Sequence, residues 1–362
     1  MKVLFIARAT LHKNKGGDTI QILETAKQLR KLAIQVDVRL TNETIDYSPY
    51  DLLHFFNIIR PGDILKHITL SRKPYVVSTI FVDYSEYDTR VRTGFTGLLF
   101  KILSGDRIEY LKAVARALIN GEKIISPSYL LYGQRRSIRK IIRGAGMLLP
   151  NSNSEYERLF RAYGVVQQYR VIPNAIDPQL FYLPHPGAPR EKGLVLCVGR
   201  IEGLKNQLNL IRALNGTEFR LLIIGSPAAN HRAYGEACRA AAASNVCFVG
   251  GASQHSLVDY YYRAQVHVLP SWFETTGLST LEAAAMGCAI VITDKGDQRE
   301  YFGDHAFYCD PAEPATILQA VRQAAATPPD GQLQQKIRSD YTWERTAEKT
   351  LAAYSALHLT NH

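Results

Sequence analysis

The stretch that decides the fold reads Val266-His267-Val268-Leu269-Pro270-Ser271-Trp272-Phe273-Glu274-Thr275-Thr276-Gly277-Leu278-Ser279-Thr280-Leu281-Glu282-Ala283-Ala284-Ala285-Met286-Gly287. Its first four residues form a short apolar run of the kind found in strands buried on both faces. A polar loop follows, then an alanine-rich helix ended by glycine. Glu274 therefore falls in the loop at a strand's carboxyl end, and Glu282 on the helix after it. The helix start near Gly277 and Leu278 leaves free backbone N–H groups, which suit an anion such as a diphosphate. Gly277 would let that anion approach the backbone closely.

The same strand-then-helix unit recurs along the chain. Apolar runs predict strands at Lys2–Ala7, Val36–Leu40, Leu52–Phe56, Tyr75–Ile80, Met147–Leu149 and Arg170–Ile172, with a helix over Thr19–Leu32. A second series predicts strands at Leu194–Val198, Arg220–Ile224, Cys247–Val249, Val266–Leu269, Ala289–Ile292 and Phe307–Cys309. Apolar strands alternating with helices are the mark of parallel sheets covered on both faces. Two such series predict an α/β protein of two Rossmann-like, doubly wound domains facing a central cleft. Three prolines within Tyr182–Arg190 mark the boundary. The expected division is 1–182, 183–342 and a terminal helical segment, 343–362, that could pack against either domain.

A second motif, Val198-Gly199-Arg200-Ile201-Glu202-Gly203-Leu204-Lys205-Asn206-Gln207, crosses from strand to helix. Arg200 and Lys205 would lie at the carboxyl edge of the sheet, where they could neutralise a diphosphate without a metal. Taken alone, two cations at a helix start also suit a solvated surface. Glu274 and Glu282 do not read as a glycosidase pair. If every step between them were helical they would stand about 12 Å apart and about 80° out of phase. Hydrolytic carboxylates need roughly 5–9.5 Å across one bond. Two acids gripping hydroxyls at opposite ends of one extended ligand fit the spacing better, and capping or surface roles are the plain alternative.

Together these residues resemble the family 4 glycosyltransferases, retaining enzymes of GT-B fold that use sugar-nucleotide donors. The resemblance rests on Gly199-Arg200 with Lys205-Asn206-Gln207, on Pro270-Ser271, and on the Glu274-x7-Glu282 spacing with Gly277-Leu278. Gly16-Gly17, Val171–Asp177 and Trp343-Glu344 extend it over most of the chain. It implies that Arg200 and Lys205 bind the donor diphosphate, with Lys205 stabilising the leaving group. Glu274 would contact the transferred sugar's hydroxyls and Glu282 the ribose, while Thr276, Gly277 and Leu278 line the phosphates. Gly16 and Gly17 would open the first helix of the acceptor domain, and Asp18 reads as that helix's N-cap. The resemblance implies no cofactor and no metal site, only a UDP- or GDP-linked sugar as donor. Members often carry a histidine after the fourth strand, but here the loop reads Ser78-Thr79-Ile80-Phe81-Val82-Asp83-Tyr84-Ser85-Glu86. Asp83 is the nearest polar candidate there for acceptor-side chemistry. His54, within an apolar run, reads as a packed core residue.

Composition narrows the partners. The chain has 362 residues, 46% of them hydrophobic, with 43 Lys plus Arg against 33 Asp plus Glu. A mainly disordered chain is excluded. Residues 1–185 carry 27 basic and 16 acidic side chains, and the remainder 16 and 17. The excess positive charge therefore lies in the first half. Within Gln134–Leu149 the apolar residues recur at helical spacing while Arg135, Arg136, Arg139, Lys140 and Arg143 fall on another face. Such a helix suits an anionic membrane surface, or a core helix with a basic outer side. No zinc module, RNA-binding signature or helix-turn-helix supports a nucleic-acid partner. Five irregularly spaced cysteines read as buried thiols in a reducing compartment. No run approaches the ~20 apolar residues of a membrane span; Gly97–Phe100 is already stopped by Lys101. The expectation is a cytoplasmic enzyme, peripheral at the inner face of the membrane, that extends a glycan or lipid-linked acceptor. The alternatives are a non-catalytic GT-B subunit and a sugar-nucleotide epimerase of the same fold.

Overall fold

The computed structural model describes residues 1–13, 16–84, 86–87, 110, 127–182, 190–228, 231–328 and 331–359. Gly97–Lys101, Lys123 and most of the proline-rich boundary, 183–189, lie outside them. The chain divides into two units. The first holds Met1–Phe81, Asp88–Asn174 and Trp343–His362, and the second Val82–Tyr87 and Ala175–Thr342. The division thus falls after Asn174, ahead of the proline-rich stretch.

The first unit is a five-stranded parallel sheet in the order β2-β1-β3-β4-β5. Its strands are β1 (Lys2–Ala7), β2 (Gln35–Leu40), β3 (Leu52–Phe56), β4 (Tyr75–Ser78) and β5 (Met147–Leu148). Its helices are α1 (Gly17–Lys31), α2 (Pro61–Ser71), α3 (Pro127–Gly144) and α4 (Asn153–Tyr163). Because successive strand residues point to opposite faces, β1 feeds two cores. Leu4 and Ile6 join a cluster with Ile138, Ile141 and Leu159. Val3, Phe5 and Ala7 join one with Ile22, Ala26 and Tyr354. Arg170–Ile172 forms no strand of its own. Arg170 N donates to Leu148 O at 3.0 Å and Ile172 N to Pro150 O at 2.8 Å, a short run beside β5.

The second unit holds six parallel strands in the order β11-β10-β9-β6-β7-β8. They are β6 (Glu191–Val198), β7 (Arg220–Ile224), β8 (Val246–Gly250), β9 (Ala264–Leu269), β10 (Ala289–Thr293) and β11 (Phe307–Cys309). Between them run α5 (Gln207–Leu214), α6 (Arg232–Ala241), α7 (Gln254–Arg263), α8 (Leu278–Ala285), α9 (Gln298–Phe302) and α10 (Pro314–Ala326). Then come α11 (Gly331–Asp340) and the terminal α12 (Trp343–Leu359), which belongs to the first unit. Four cysteines are buried, while Cys247 on the edge strand β8 is exposed. Among the described residues no helix is long and apolar enough to cross a membrane.

His54 shows how α12 is fastened. It is buried in β3, with Nδ1 2.6 Å from the Tyr354 hydroxyl and Nε2 2.8 Å from Ser78 Oγ. Burial pushes its pKa down to about 3, so it stays neutral. It is the packed core residue its apolar run suggests. Tyr354→Phe removes one partner and strands a buried ring nitrogen. That should cost about 1–3 kcal/mol, read as a lower urea midpoint at unchanged m-value.

Candidate functional site

The strand order of the second unit reverses between β6 and β9, which are neighbours although two strands and three helices separate them in sequence. Loops leaving such a pair diverge to opposite faces and open a crevice at the carboxyl edge, where open α/β sheets hold ligands. The two motifs singled out in the sequence are the loops after these two strands. After β6 the chain makes a short 3-10 turn over Gly203–Lys205, and Asn206, at φ 61°, redirects it into α5. Asn206 Nδ2 donates to Pro270 O at 3.1 Å and to Pro311 O at 2.7 Å. Trp272 N donates to Leu204 O at 2.8 Å. The bonds to Pro270 and from Trp272 lace the loop after β6 to the loop after β9, and the bond to Pro311 ties it to the loop after β11.

The lacing brings Lys205 Nζ into an ion pair with Glu274 Oε1. Their side chains are 18% and 8% exposed. Ser271 Oγ donates to the same carboxylate oxygen at 2.9 Å. Glu274's backbone is held equally firmly. Its carbonyl accepts from Asp297 N at 2.8 Å, and its N–H donates to Lys295 O at 3.3 Å. Gly296, at φ 88°, allows this approach, since a Cβ there would strike Glu274's backbone.

Gly277 stands at the N-terminus of α8 in the left-handed region, φ 72°, and its carbonyl accepts from Thr280 N at 2.8 Å. The amides of Leu278 and Ser279 precede the first bond inside the helix, so they have no intrahelical acceptor. The buried Thr276 donates through Oγ1 to the Tyr301 hydroxyl at 3.2 Å. Glu282, on α8, is buried and points at different partners. Gln254 Nε2 donates to its Oε1 at 2.8 Å and the Tyr261 hydroxyl to its Oε2 at 2.9 Å. Burial outweighs these bonds and raises its pKa to about 7.

Arg200 lies on the loop after β6 with its carbonyl accepting from Gln207 Nε2 at 2.8 Å. Its side chain is 54% exposed and pairs with Glu202 at 3.1 Å. Gly16 and Gly17 lie in the first unit, at the start of α1. The helix N-cap is Gly16, whose N–H donates to Thr19 Oγ1 at 3.2 Å. Asp18 is thus not the cap. It sits in the first turn, held by Arg8 Nε at 2.6 Å, because a glycine before it already makes the turn into the helix. Asp83 is half-buried in Val82–Tyr87, a segment that groups with the second unit rather than with the sheet it leaves. In that segment Glu86 pairs with Lys295 at 2.9 Å, and the Tyr87 hydroxyl packs against Gly203. No sequence signal marked Tyr87, Tyr261 or Arg8, since each acts through a partner outside its own local motif. Among the described residues, no group of three or more His, Cys, Asp or Glu side chains is placed to hold a metal ion.

Residues 182–340, almost the whole of this unit's sheet and helices, match the family model of the glycosyl transferases, group 1. A D-inositol 3-phosphate glycosyltransferase of Kribbella flavida is 28% identical over 269 residues, 67% of this chain and 62% of the relative. The chain therefore spans about three fifths of that relative. The sucrose-phosphate synthase of Thermosynechococcus elongatus superposes with a TM-score of 0.75 at 17% identity, covering 99% of this chain and 100% of that one. Anabaena HepE, solved with UDP and glucose, gives 0.67 at 16% identity, over 98% and 100%. The fold is the two-domain GT-B fold.

Glu282 makes a pH signature expected of the folded protein alone. Its folded pKa, about 7, lies above the ordinary carboxylate value of 4.5. The native state therefore binds the extra proton between these limits, and stability present below pH 4.5 is lost as pH rises through 7. Relative to Glu282→Gln, the wild type should lose about 3 kcal/mol between pH 5 and 8, measured by urea unfolding at both. A relative gain over that window would mean the carboxylate is held ionised instead.

Proposed function

We propose that the chain is a retaining glycosyltransferase of the family 4 type. It would move a sugar from a UDP- or GDP-linked donor to a glycan or lipid-linked acceptor, as in cell-surface polysaccharide or glycolipid synthesis. The observation that carries this reading is the Lys205–Glu274 pair at the β6/β9 reversal, beside the free amides of α8. The match of this unit to a glycosyltransferase family, and the UDP and glucose held by a protein of the same fold, support it.

In this reading the second unit takes the nucleotide-sugar and the first unit the acceptor. The diphosphate meets Arg200, Lys205 and the amides of Leu278 and Ser279, which together offset its charge without a metal or other cofactor. Glu274 accepts from hydroxyls of the transferred sugar. Glu282, already aimed by Gln254 and Tyr261, accepts from a ribose hydroxyl. The acceptor oxygen bonds to the anomeric carbon on the face from which the diphosphate leaves. The leaving phosphate oxygen takes the acceptor's proton, which lessens the need for a protein base; Asp83 is the carboxylate assigned nearest that step. Lys205 stabilises the charge that grows on the leaving group as the bond breaks.

The same reading places the enzyme in the cytoplasm, at the inner face of the membrane. On α3 Ile138, Ile141 and Ile142 are buried, whereas Arg135, Arg136, Lys140 and Arg143 are exposed; Arg139, expected on the same basic face, is half-buried. Just before the helix bends at Gly133, Leu130 and Leu131 stand 48% and 77% exposed. Exposed leucines beside a basic face suit insertion at an anionic lipid surface.

Two measurements test these assignments. Lys205→Ala should lower acceptor-dependent release of nucleoside diphosphate by about 10²–10³-fold with the fold intact; a wild-type rate would refute the site. The protein should sediment with anionic liposomes at low salt and be released at high salt. Equal sedimentation with neutral liposomes would remove the membrane from the proposal.

A further inference from the structure

Gln298 is the first residue of α9, one step beyond Asp297, whose N–H holds the Glu274 carbonyl. It is 1% exposed, and neither its Nε2 nor its Oε1 has a hydrogen-bond partner among the described residues. Native proteins seldom bury an amide with both ends unpaired, because its desolvation then goes uncompensated. Its place is fixed by the neighbouring contacts. A Cβ added at Gly277 would stand 3.0 Å from Gln298 Nε2, so the carboxamide lies against the N-terminus of α8. The polar side chains around it are engaged elsewhere. Thr276 is bonded to Tyr301, and Thr280 Oγ1 lies 3.3 Å from His267 Nε2. Gly277 carries no side chain to cover the amide.

We infer that Gln298 is a donor-specificity residue that reads a hydroxyl of the transferred sugar, an inference that rests on the donor reading above. The chemistry of the group selects a hydroxyl over a phosphate. A carboxamide offers donors on nitrogen and an acceptor on oxygen. A phosphate oxygen would satisfy Nε2 but set Oε1 against another acceptor. A sugar hydroxyl, or an adjacent pair of them, both accepts and donates, and so satisfies both ends. Glu274, which only accepts when ionised, would accept a hydrogen bond from a hydroxyl, while Gln298 adds the donor that Glu274 lacks. Its neutrality also leaves the diphosphate's charge to Lys205 and the helix amides.

The test compares wild type with Gln298→Met, similar in length but unable to form these bonds. Binding of UDP, GDP, UDP-glucose, GDP-glucose and the monodeoxyglucose forms of both donors would be measured by calorimetry. Methionine should leave affinity for the free diphosphate within twofold and weaken the sugar nucleotide about tenfold. One monodeoxy donor should bind the wild type about tenfold more weakly than its parent, yet bind the variant as its parent does. Should the methionine variant fail to fold, Gln298→Glu keeps the shape and is expected to lose the same discrimination. Equal affinity of wild type and variant for the sugar nucleotide would overturn the inference alone, as would an equal loss for the free diphosphate. No binding of either diphosphate to the wild type would overturn the donor reading and this inference with it.

Discussion

The reversal of strand order between β6 and β9 is the constraint on which the second unit's chemistry depends. Parallel strands joined by right-handed crossovers send their helices to opposite faces on either side of such a point. The loops after β6 and β9 are then driven apart at the very edge where both strands end. What closes the gap here is polar. Asn206 reaches two prolyl carbonyls, Trp272 bonds Leu204, and Lys205 meets Glu274. A partly buried ion pair contributes little net stability, since desolvation offsets most of its Coulomb attraction. Its value is positional: a cation and a carboxylate 69 residues apart in sequence arrive at one place with their directions fixed.

Fixing those directions requires that the surrounding backbone be satisfied as well. Arg190 does this at the opposite end of α8. Its guanidinium donates to the carbonyls of Tyr261 at 2.9 Å and Ala264 at 2.6 Å, and also to that of Met286. It thereby serves the C-termini of α7 and α8 together, where carbonyls lack intrahelical partners and the helix dipoles favour a cation. Tyr261 then carries the support onward, because its carbonyl meets Arg190 while its hydroxyl meets Glu282. One half-buried arginine near the start of the unit's sheet is thus linked through a tyrosine to Glu282. Glu282 tolerates burial because both its oxygens have donors, even though its charge is disfavoured there.

Much of this was legible in the sequence, for a definite reason. Strands such as Lys2–Ala7, Leu52–Phe56 and Arg220–Ile224 appear where apolar runs place them, because a strand covered on both faces is apolar at most of its positions. Glu274 and Glu282 were readable as loop and helix residues from local pattern alone. What escaped was set by tertiary context. Arg170–Ile172 lies along β5 without becoming a strand, and Asp18 yields the cap to a glycine. His54 meets a tyrosine 300 residues away, a pairing no local spacing reveals. Gln298 carried no motif at all, since an amide's significance here lies in what it fails to touch.

The uneven charge also acquires a physical meaning from the fold. In the second unit many ionised groups answer one another: Arg263 and Arg220 both meet Glu191, Arg299 meets Asp294, and Arg322 meets Glu218. Such pairs cancel within a few ångströms and leave little field beyond. The first unit has such pairs too, Arg8 with Asp18 and Lys2 with Asp37, and α3 adds cations set against rings. Arg135 lies over the Tyr163 ring and Lys140 over Tyr132, contacts that hold each cation against an aromatic face. Charge exposed on one face projects over about a Debye length, roughly 8–10 Å at physiological ionic strength. Cations gathered on one exposed face act at that range, whereas charges paired within a few ångströms largely cancel before it. The positive surplus of the first half thus reaches the surface in part on α3, where Arg135, Arg136, Lys140 and Arg143 are exposed.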